Sequence, residues 1–331
     1  MRSLTPVKGA IVGFGEVAEK AHLPALSRDP RFSVVAVADE GRSRRESARK
    51  LLPKARVYES LEALLKGERS LDFVDIATPP FLHSPQALTA LKRRLHVLCE
   101  KPLTLDPAAF EGLRAEAARQ KRSLFTVHNW KYAPLFQKLH ALLREGAVGS
   151  VRHLEWHTLR SKPAADASSA KGGWRTDKKL SGGGILVDHG WHAFYLLHWL
   201  IGRRHASAVG RLKGPRGGAD EEATCLLTYP EATAVVHLTW RSPARAHAGM
   251  VYGEAGSIEV GDAHLAVRRS DDPPCRFVFP QPLSHGSAHP EWFGAMLGDF
   301  HASLSASAPR EENASEAAAC VSLLSDLYGT R

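Results

Sequence analysis

The sequence is poor in the residues that make cross-links, metal modules and membrane spans. It holds only four cysteines, Cys99, Cys225, Cys275 and Cys320, and none forms a Cys-x-x-Cys pair. That spacing argues against a zinc module and a disulfide framework, and scattered thiols fit a reducing, cytoplasmic setting. No long apolar run is free of ionisable groups. The most hydrophobic stretch, 185–201, carries Asp188, His189, His192 and His198, which argues against a membrane partner. The opening Met1-Arg2-Ser3-Leu4-Thr5-Pro6 lacks the hydrophobic segment of a cleaved leader. Internal repeats and low-complexity tracts are missing too, so a fibre or coiled coil is excluded.

What is present is a globular mixture, 44% hydrophobic and 24% charged. A length of 331 residues points to two domains, since one core rarely grows past ~250–300 residues. A net charge of +9 raises nucleic acid, a membrane surface or an acidic ligand as partners. No helix-turn-helix, RNA-binding aromatic signature or zinc finger accompanies that charge, so no nucleic-acid partner is expected.

Two hydrophobic periods alternate through residues 1–130. Apolar runs at 10–12, 34–38, 73–77, 95–99 and 124–127 read as buried strands. Helical patterns fall between them, at Glu16–His22, Ser43–Leu52, Leu61–Lys66, Pro85–Arg94 and Pro107–Arg119. The alternation predicts a Rossmann domain, a doubly wound parallel sheet, over 1–130. Beyond Pro134 the pattern changes. A helix at Leu135–Arg144 precedes period-two strands at 151–160, 205–212, 221–229, 233–240, 248–253, 256–260 and 264–268. Helices near 290–305 and 313–328 close the chain. These predict an α+β domain over 131–331 with a largely antiparallel sheet. The Ala-, Ser-, Lys- and Gly-rich stretch 163–173 reads as a mobile loop.

Gly13-Phe14-Gly15-Glu16-Val17-Ala18 follows a strand and opens a helix. Glycines suit a tight turn and close backbone approach to a pyrophosphate, and a helix N-terminus offers N–H groups to phosphates. Asp39 ends the next strand, where a carboxylate can accept hydrogen bonds from a ribose 2′-hydroxyl. The cofactor-binding candidates here are thus Gly13, Phe14, Gly15, Glu16, Val17 and Asp39. Asp39 favours NAD. Arg42, Arg44 and Arg45 can hold a 2′-phosphate or be a solvated helix start, which leaves NADP open.

Three further segments carry chemistry. Thr78-Pro79-Pro80-Phe81-Leu82-His83 and Glu100-Lys101-Pro102 each follow a strand, at the edge where such sheets bind ligands. Thr78, Pro79, His83, Glu100 and Lys101 join the cofactor candidates. Later, Gly182-Gly183-Gly184-Ile185-Leu186-Val187-Asp188-His189-Gly190-Trp191-His192 enters a helix, and Asp188 and His192, four apart, would share one face.

Together with His22-Leu23-Pro24-Ala25-Leu26 and Trp174-Arg175, these segments resemble the Gfo/Idh/MocA family of oxidoreductases. The resemblance runs through almost the whole chain. It implies a Rossmann domain followed by a domain whose open sheet forms an oligomer interface, hence a homodimer or homotetramer. It also implies Lys101, Asp188 and His192 as the catalytic group, and a sugar, a cyclitol or a derivative as substrate. Trp130, Trp174 and Arg175, with Lys101, Asp188 and His192, are the substrate-binding candidates, and His128 can line the same cleft.

The chemistry follows from the side chains. Oxidising a secondary alcohol removes a hydroxyl proton while hydride leaves carbon. His192 can serve as general base near neutral pH, Lys101 can hold the substrate oxygen, and Asp188 can orient its neighbours or bind a hydroxyl. Either Lys101 or His192 can take the proton. Asp188, His189 and His192 also read as metal ligands, but no further ligand presents itself, and no metal is expected. The chain departs from the family pattern at Lys131, where an arginine is frequent, and at Tyr195, where an acidic residue is frequent. Arg160, Lys162, Lys171, Arg175, Lys178 and Lys179 can select an anionic substrate or form a solvated loop. A non-catalytic sensor of dinucleotide or sugar is the rival reading, and the joint presence of Lys101, Asp188 and His192 argues against it.

Overall fold

The computed structural model describes residues 5–164, 173–269 and 273–329, and the chain divides into two units. Most of the stretch 163–173 read as a loop, including Lys171, lies outside the described residues.

The first unit is built on six strands: β1 (Val7–Val12), β2 (Phe32–Ala38), β3 (Arg56–Tyr58), β4 (Phe73–Ile76), β5 (His96–Cys99) and β6 (Leu124–Thr126). All pair in parallel, in the spatial order β3-β2-β1-β4-β5-β6. Helices α1 (Leu23–Arg28), α2 (Arg42–Leu51), α3 (Leu61–Gly67), α4 (Pro80–Lys92) and α5 (Pro107–Gln120) connect them. Every residue of β4 and β5 is buried, as parallel strands covered on both faces require. Strand order reverses between β1 and β4, and the carboxyl ends there are where open α/β sheets bind ligands. The predicted Rossmann architecture is therefore present. β3 is an addition: three residues are too few to show a hydrophobic period. α4 starts at Pro80 rather than Pro85, because proline is well suited to a first helical turn.

In the second unit α6 (Pro134–Arg144) precedes an eight-stranded sheet. Its strands are β7 (Val151–Leu159), β8 (Ser207–Lys213), β9 (Glu222–Thr228), β10 (Thr233–Thr239), β11 (Ala246–Gly253), β12 (Gly256–Val260), β13 (His264–Arg269) and β14 (Cys275–Val278), ordered β14-β13-β12-β11-β7-β10-β9-β8. All neighbours are antiparallel except β7 and β10, which run parallel. Helices α7 (Lys178–Ser181) and α8 (Trp191–Ile201) lie on the connection between them. Alternation holds on β10, where Ala234, Val236 and Leu238 are buried and Thr233, Val235 and His237 are partly exposed. β14 went unpredicted because its four residues show no buried alternation.

The first unit comprises 1–129 together with the returning segment 287–318. Helix α9 (Pro290–Ser303) carries Phe300, whose ring lies 5.4 Å from Phe73, 5.6 Å from Phe125 and 5.8 Å from Phe32. On α10 (Ser307–Gly329), the Asn313 amide accepts the Thr126 N–H at 2.7 Å and donates to the Thr126 carbonyl at 3.0 Å. That side chain pairs with β6, the edge strand of the sheet. Local periodicity cannot reveal which sheet a helix covers.

Candidate active site

Gly13 ends β1 at φ +87°, and a Cβ there would lie 2.7 Å from the Thr78 nitrogen and 2.8 Å from the Ala77 carbonyl carbon. Only glycine allows the chain to pass so close to the loop after β4. A Cβ on Gly15 would meet nothing within 4 Å, so its backbone borders open space. Phe14 buries its ring and donates its N–H to Asp39 Oδ2 at 2.6 Å, while Gly41 N–H reaches Asp39 Oδ1 at 2.7 Å. An open glycine turn beside a carboxylate held at the end of β2 fits a dinucleotide. Val17 is half-buried, and Glu16 is exposed and paired with Lys20 at 2.5 Å. Arg45 is committed to the carbonyls of Asp39 and Glu40, at 2.9 and 2.7 Å, and Arg42 pairs with Glu46 at 3.0 Å.

The loops after β4 and β5 are tied together. Buried His83 places Nδ1 2.7 Å from the Pro102 carbonyl and Nε2 2.6 Å from the Thr78 carbonyl. Burial holds its pKa below the ordinary value. Pro79 precedes α4, and the Thr78 hydroxyl donates to Gln86 at 2.7 Å. Glu100 is largely buried. One of its oxygens accepts the Lys101 N–H at 3.0 Å and the other meets His22 at 3.1 Å. Lys101 is half-buried and precedes a cis bond to Pro102. His128, a cleft candidate, is buried in the first unit against Glu316 at 3.1 Å.

Within the second unit, a π-helical turn at Leu186–Gly190 runs into α8 and carries Asp188. Its start is fixed by Asp220, whose carboxylate accepts N–H groups from Gly184 at 3.0 Å and Leu186 at 2.9 Å, and the Tyr328 hydroxyl at 2.7 Å. A carboxylate at a helix start satisfies orphan donors and suits the dipole. Gly184 is obligatory, since a Cβ would fall 1.9 Å from the Asp220 carbonyl oxygen. His192, half-exposed, stacks on Trp130 at 4.9 Å and shares a 3.0 Å hydrogen bond with the Tyr195 hydroxyl through Nδ1. The same hydroxyl accepts the Trp130 N–H at 3.0 Å.

Asp188 lies 3.9 Å from Arg175 Nε and 3.7 Å from His189 Nε2, and the Arg175 guanidinium covers Trp174 at 4.4 Å. Behind Trp130 the edge of its ring meets His247 at 4.7 Å, and His247 contacts buried Arg160. Burial, with Arg245 nearby, pushes the Arg160 pKa down to about 10. The structure thus joins Trp130 with His192, and Trp174 and Arg175 with Asp188. Sequence reasoning missed Asp220, named Tyr195 only as a departure from the family pattern, and named His22 only within a family segment. The only local signal was the turn character of Gly217-Gly218-Ala219-Asp220. Among the described residues, no group of three His, Cys, Asp or Glu side chains could hold a metal ion.

A parallel sheet with this glycine turn and an acidic residue ending β2 defines a dinucleotide-binding Rossmann unit. The model of the oxidoreductase family with NAD-binding Rossmann fold matches residues 7–128, and that of the GFO/IDH/MocA C-terminal domain matches 136–259. The chain belongs to the Gfo/Idh/MocA oxidoreductase family.

Among curated relatives, D-apiose dehydrogenase of Paraburkholderia graminis is 29% identical over 71% of this chain and 61% of its own length. D-glucoside 3-dehydrogenase of Escherichia coli is 27% identical over 60% of this chain and 55% of its own. The first such relatives are matched over 52% to 72% of their lengths. Among solved structures, an oxidoreductase from Agrobacterium radiobacter in complex with NAD+, L-tartaric acid and magnesium superposes with a TM-score of 0.85 at 20% identity, covering 98% of this chain and 96% of that one. A 3-ketoreductase from Actinomadura kijaniata, in complex with NADP and TDP-benzene, gives 0.82 at 23% identity, with 98% of each chain covered. These likenesses are of fold.

Proposed function

We propose that the protein is an NAD-dependent oxidoreductase that moves a hydride between nicotinamide and a secondary alcohol or ketone of a sugar-like substrate. The observation that carries this reading is His192, whose ring is fixed by Trp130 and Tyr195 while part of it stays accessible. Names of relatives such as D-apiose dehydrogenase and D-glucoside 3-dehydrogenase support the substrate class. A bound nicotinamide supplies the hydride acceptor in the oxidising direction. Lys101 holds the substrate oxygen, and the hydroxyl proton passes to either Lys101 or His192. Asp188, beside Arg175, binds a further hydroxyl. Arg175 is engaged with Trp174 and Asp188, and Arg160 with backbone carbonyls and His247, which favours a neutral polyol over an anion. Asp39, holding two backbone amides, favours NAD over NADP.

The outer face of the second sheet aligns Val209, Leu226, Val235 and Met250 across β8, β9, β10 and β11, with Glu155 of β7 among them. Val209 is 59% exposed and Leu226 43%. We assign this face to self-association as a homodimer or homotetramer. All four cysteines are free and three are buried, which suits a cytoplasmic location, and among the described residues no helix is long and apolar enough to cross a membrane. The test is a panel of neutral sugars, sugar acids and cyclitols with NAD and NADP, read by reduced-nicotinamide absorbance. Lys101→Ala and His192→Ala should each lower turnover ~100-fold with NAD affinity kept. Dinucleotide binding without turnover on any polyol would overturn the reading.

A further inference from the structure

His22 lies in a π-helical turn, Ala18–His22, that follows the glycine turn, and it is fully buried. Its Nδ1 sits 2.9 and 3.0 Å from the two oxygens of Asp75, and its Nε2 sits 3.1 Å from Glu100 Oε1. Asp75 is fully buried on β4, and Glu100 follows the adjacent β5. The second Glu100 oxygen accepts the backbone N–H of Lys101. Phe293 of α9 stacks on the imidazole at 4.0 Å and covers one face of it. A neutral imidazole has one N–H and cannot donate at both ends. Two ionised carboxylates at opposite nitrogens are satisfied together only by a ring that carries both protons. A buried carboxylate without such a partner is costly.

We propose that His22 is a positioning residue of the active site: as an imidazolium between Asp75 and Glu100, it fixes the Glu100 carboxylate and, through the Lys101 backbone N–H, the turn that presents the Lys101 side chain. The proposal rests on the reading of Lys101 as the group that holds the substrate oxygen. The charged groups facing the ring are Asp75 on β4 and Glu100 after β5. Cys99 and Lys101 flank Glu100, and His83 of α4 lies within reach of Glu100 and Lys101. Burial opposes protonation of His22, but the two carboxylates outweigh it and raise its pKa to about 9. Burial likewise opposes ionisation of Glu100, and His22 with Lys101 reverses that, holding it below the usual carboxylate range.

Amide substitutions separate the two ends of the ring. His22→Asn keeps a donor near the Nδ1 position, towards Asp75, and loses the one to Glu100. His22→Gln keeps a donor near Nε2 and loses the other. Each gives up one buried hydrogen bond, so a merely structural role predicts similar melting temperatures and similar turnover. A positioning role predicts that His22→Asn lowers kcat about tenfold or more and that His22→Gln lowers it distinctly less, with KM for NAD unchanged in both.

Nitrogen-15 spectra supply a readout that needs no substrate. In the unaltered protein both His22 nitrogens should carry protons at pH 7. The ring should titrate near 9, and the Lys101 amide signal should move with the same midpoint. In His22→Asn the Lys101 amide should shift, and in His22→Gln it should stay. A ring with a single proton at pH 7, or a Lys101 amide that ignores the His22 titration, overturns the proposal even where neither variant folds. Equal turnover losses in two folded variants overturn it as well. An intact ring signature in a protein inactive on every polyol instead overturns the oxidoreductase reading alone.

Discussion

In the first unit, His22 stands between Asp75 and Glu100, each carboxylate within 3.1 Å of one ring nitrogen. In the second, His192 is placed by an indole face and a phenol hydroxyl, with Trp130 itself resting on His247. The two means of support fail differently. Removing one member of a buried charged group strands its partner, at a cost of roughly 3–5 kcal/mol. Removing an aromatic contact loses about 0.5–1.5 kcal/mol beyond the area it buried. The nucleotide unit is therefore built to hold its geometry or lose it whole, and the second unit can tolerate graded change around its histidine.

The comparison can be tested from the largest effect downwards. Gly184→Ala forces a Cβ into the Asp220 backbone and should cost more than ~4 kcal/mol. Soluble yield and circular dichroism report it, and a normally stable variant would remove Asp220 as the anchor of the Asp188 turn. Phe300→Ala should destabilise the first unit by about 3–5 kcal/mol. Hydrogen exchange should then quicken in β1, β4 and β6 while β7 and β10 keep their protection. Equal loosening of both sheets would contradict the assignment of 287–318 to the first unit.

Third comes pH. His22 titrates at about 9 when folded and near 6.5 when unfolded. Its stabilisation, roughly 3 kcal/mol, is whole below pH 6.5 and is lost as pH rises through about 9. His96 works in the opposite sense. Burial, with Arg122 and Arg310, pushes it down to about 4, so its contribution is present above 6.5 and lost as pH falls through about 4. Denaturant melts across this range should peak near pH 6.5, and a flat profile would refute the account of the charged cluster.

Smaller still, Tyr195→Phe removes the hydroxyl between Trp130 N–H and His192 while leaving the stacked ring. It should cost about 1–2 kcal/mol and lower turnover about tenfold. Unchanged turnover would mean that the indole alone orients the histidine. Arg42→Ala, on an exposed pair with Glu46, should alter stability and NAD affinity by less than ~0.5 kcal/mol.

Much of this was legible in the sequence because it was written locally. Val34–Ala38 and Leu95–Cys99 announce buried parallel strands, and the spacing from Gly13 to Asp39 follows from one strand–helix–strand step. What stayed hidden depends on partners distant in the chain. Asp75 looks like a stray charge in a strand until His22 is seen against it, 53 residues away. Asn313 pairs with Thr126 across 187 residues, and Tyr195 reads as one more aromatic on an apolar helix until its hydroxyl is placed. Asp39 shows a milder gap: the sequence marks its position, but the two amides that hold it come from turns whose geometry only the fold defines.

The parallel pairing of β7 with β10 has a consequence for how this protein can change. Parallel neighbours cannot be joined by a tight turn, so the chain must travel from one end of the sheet back to the other. Here that journey takes residues 160–232, and Trp174, Arg175, Asp188 and His192 all lie on it. Its length is not dictated by the ladder of hydrogen bonds it connects. Insertions, deletions and substitutions in its part ahead of β8, 160–206, can accumulate without shifting the register of a single strand. A scaffold of this kind can acquire new ligands over its history while its sheet remains unaltered.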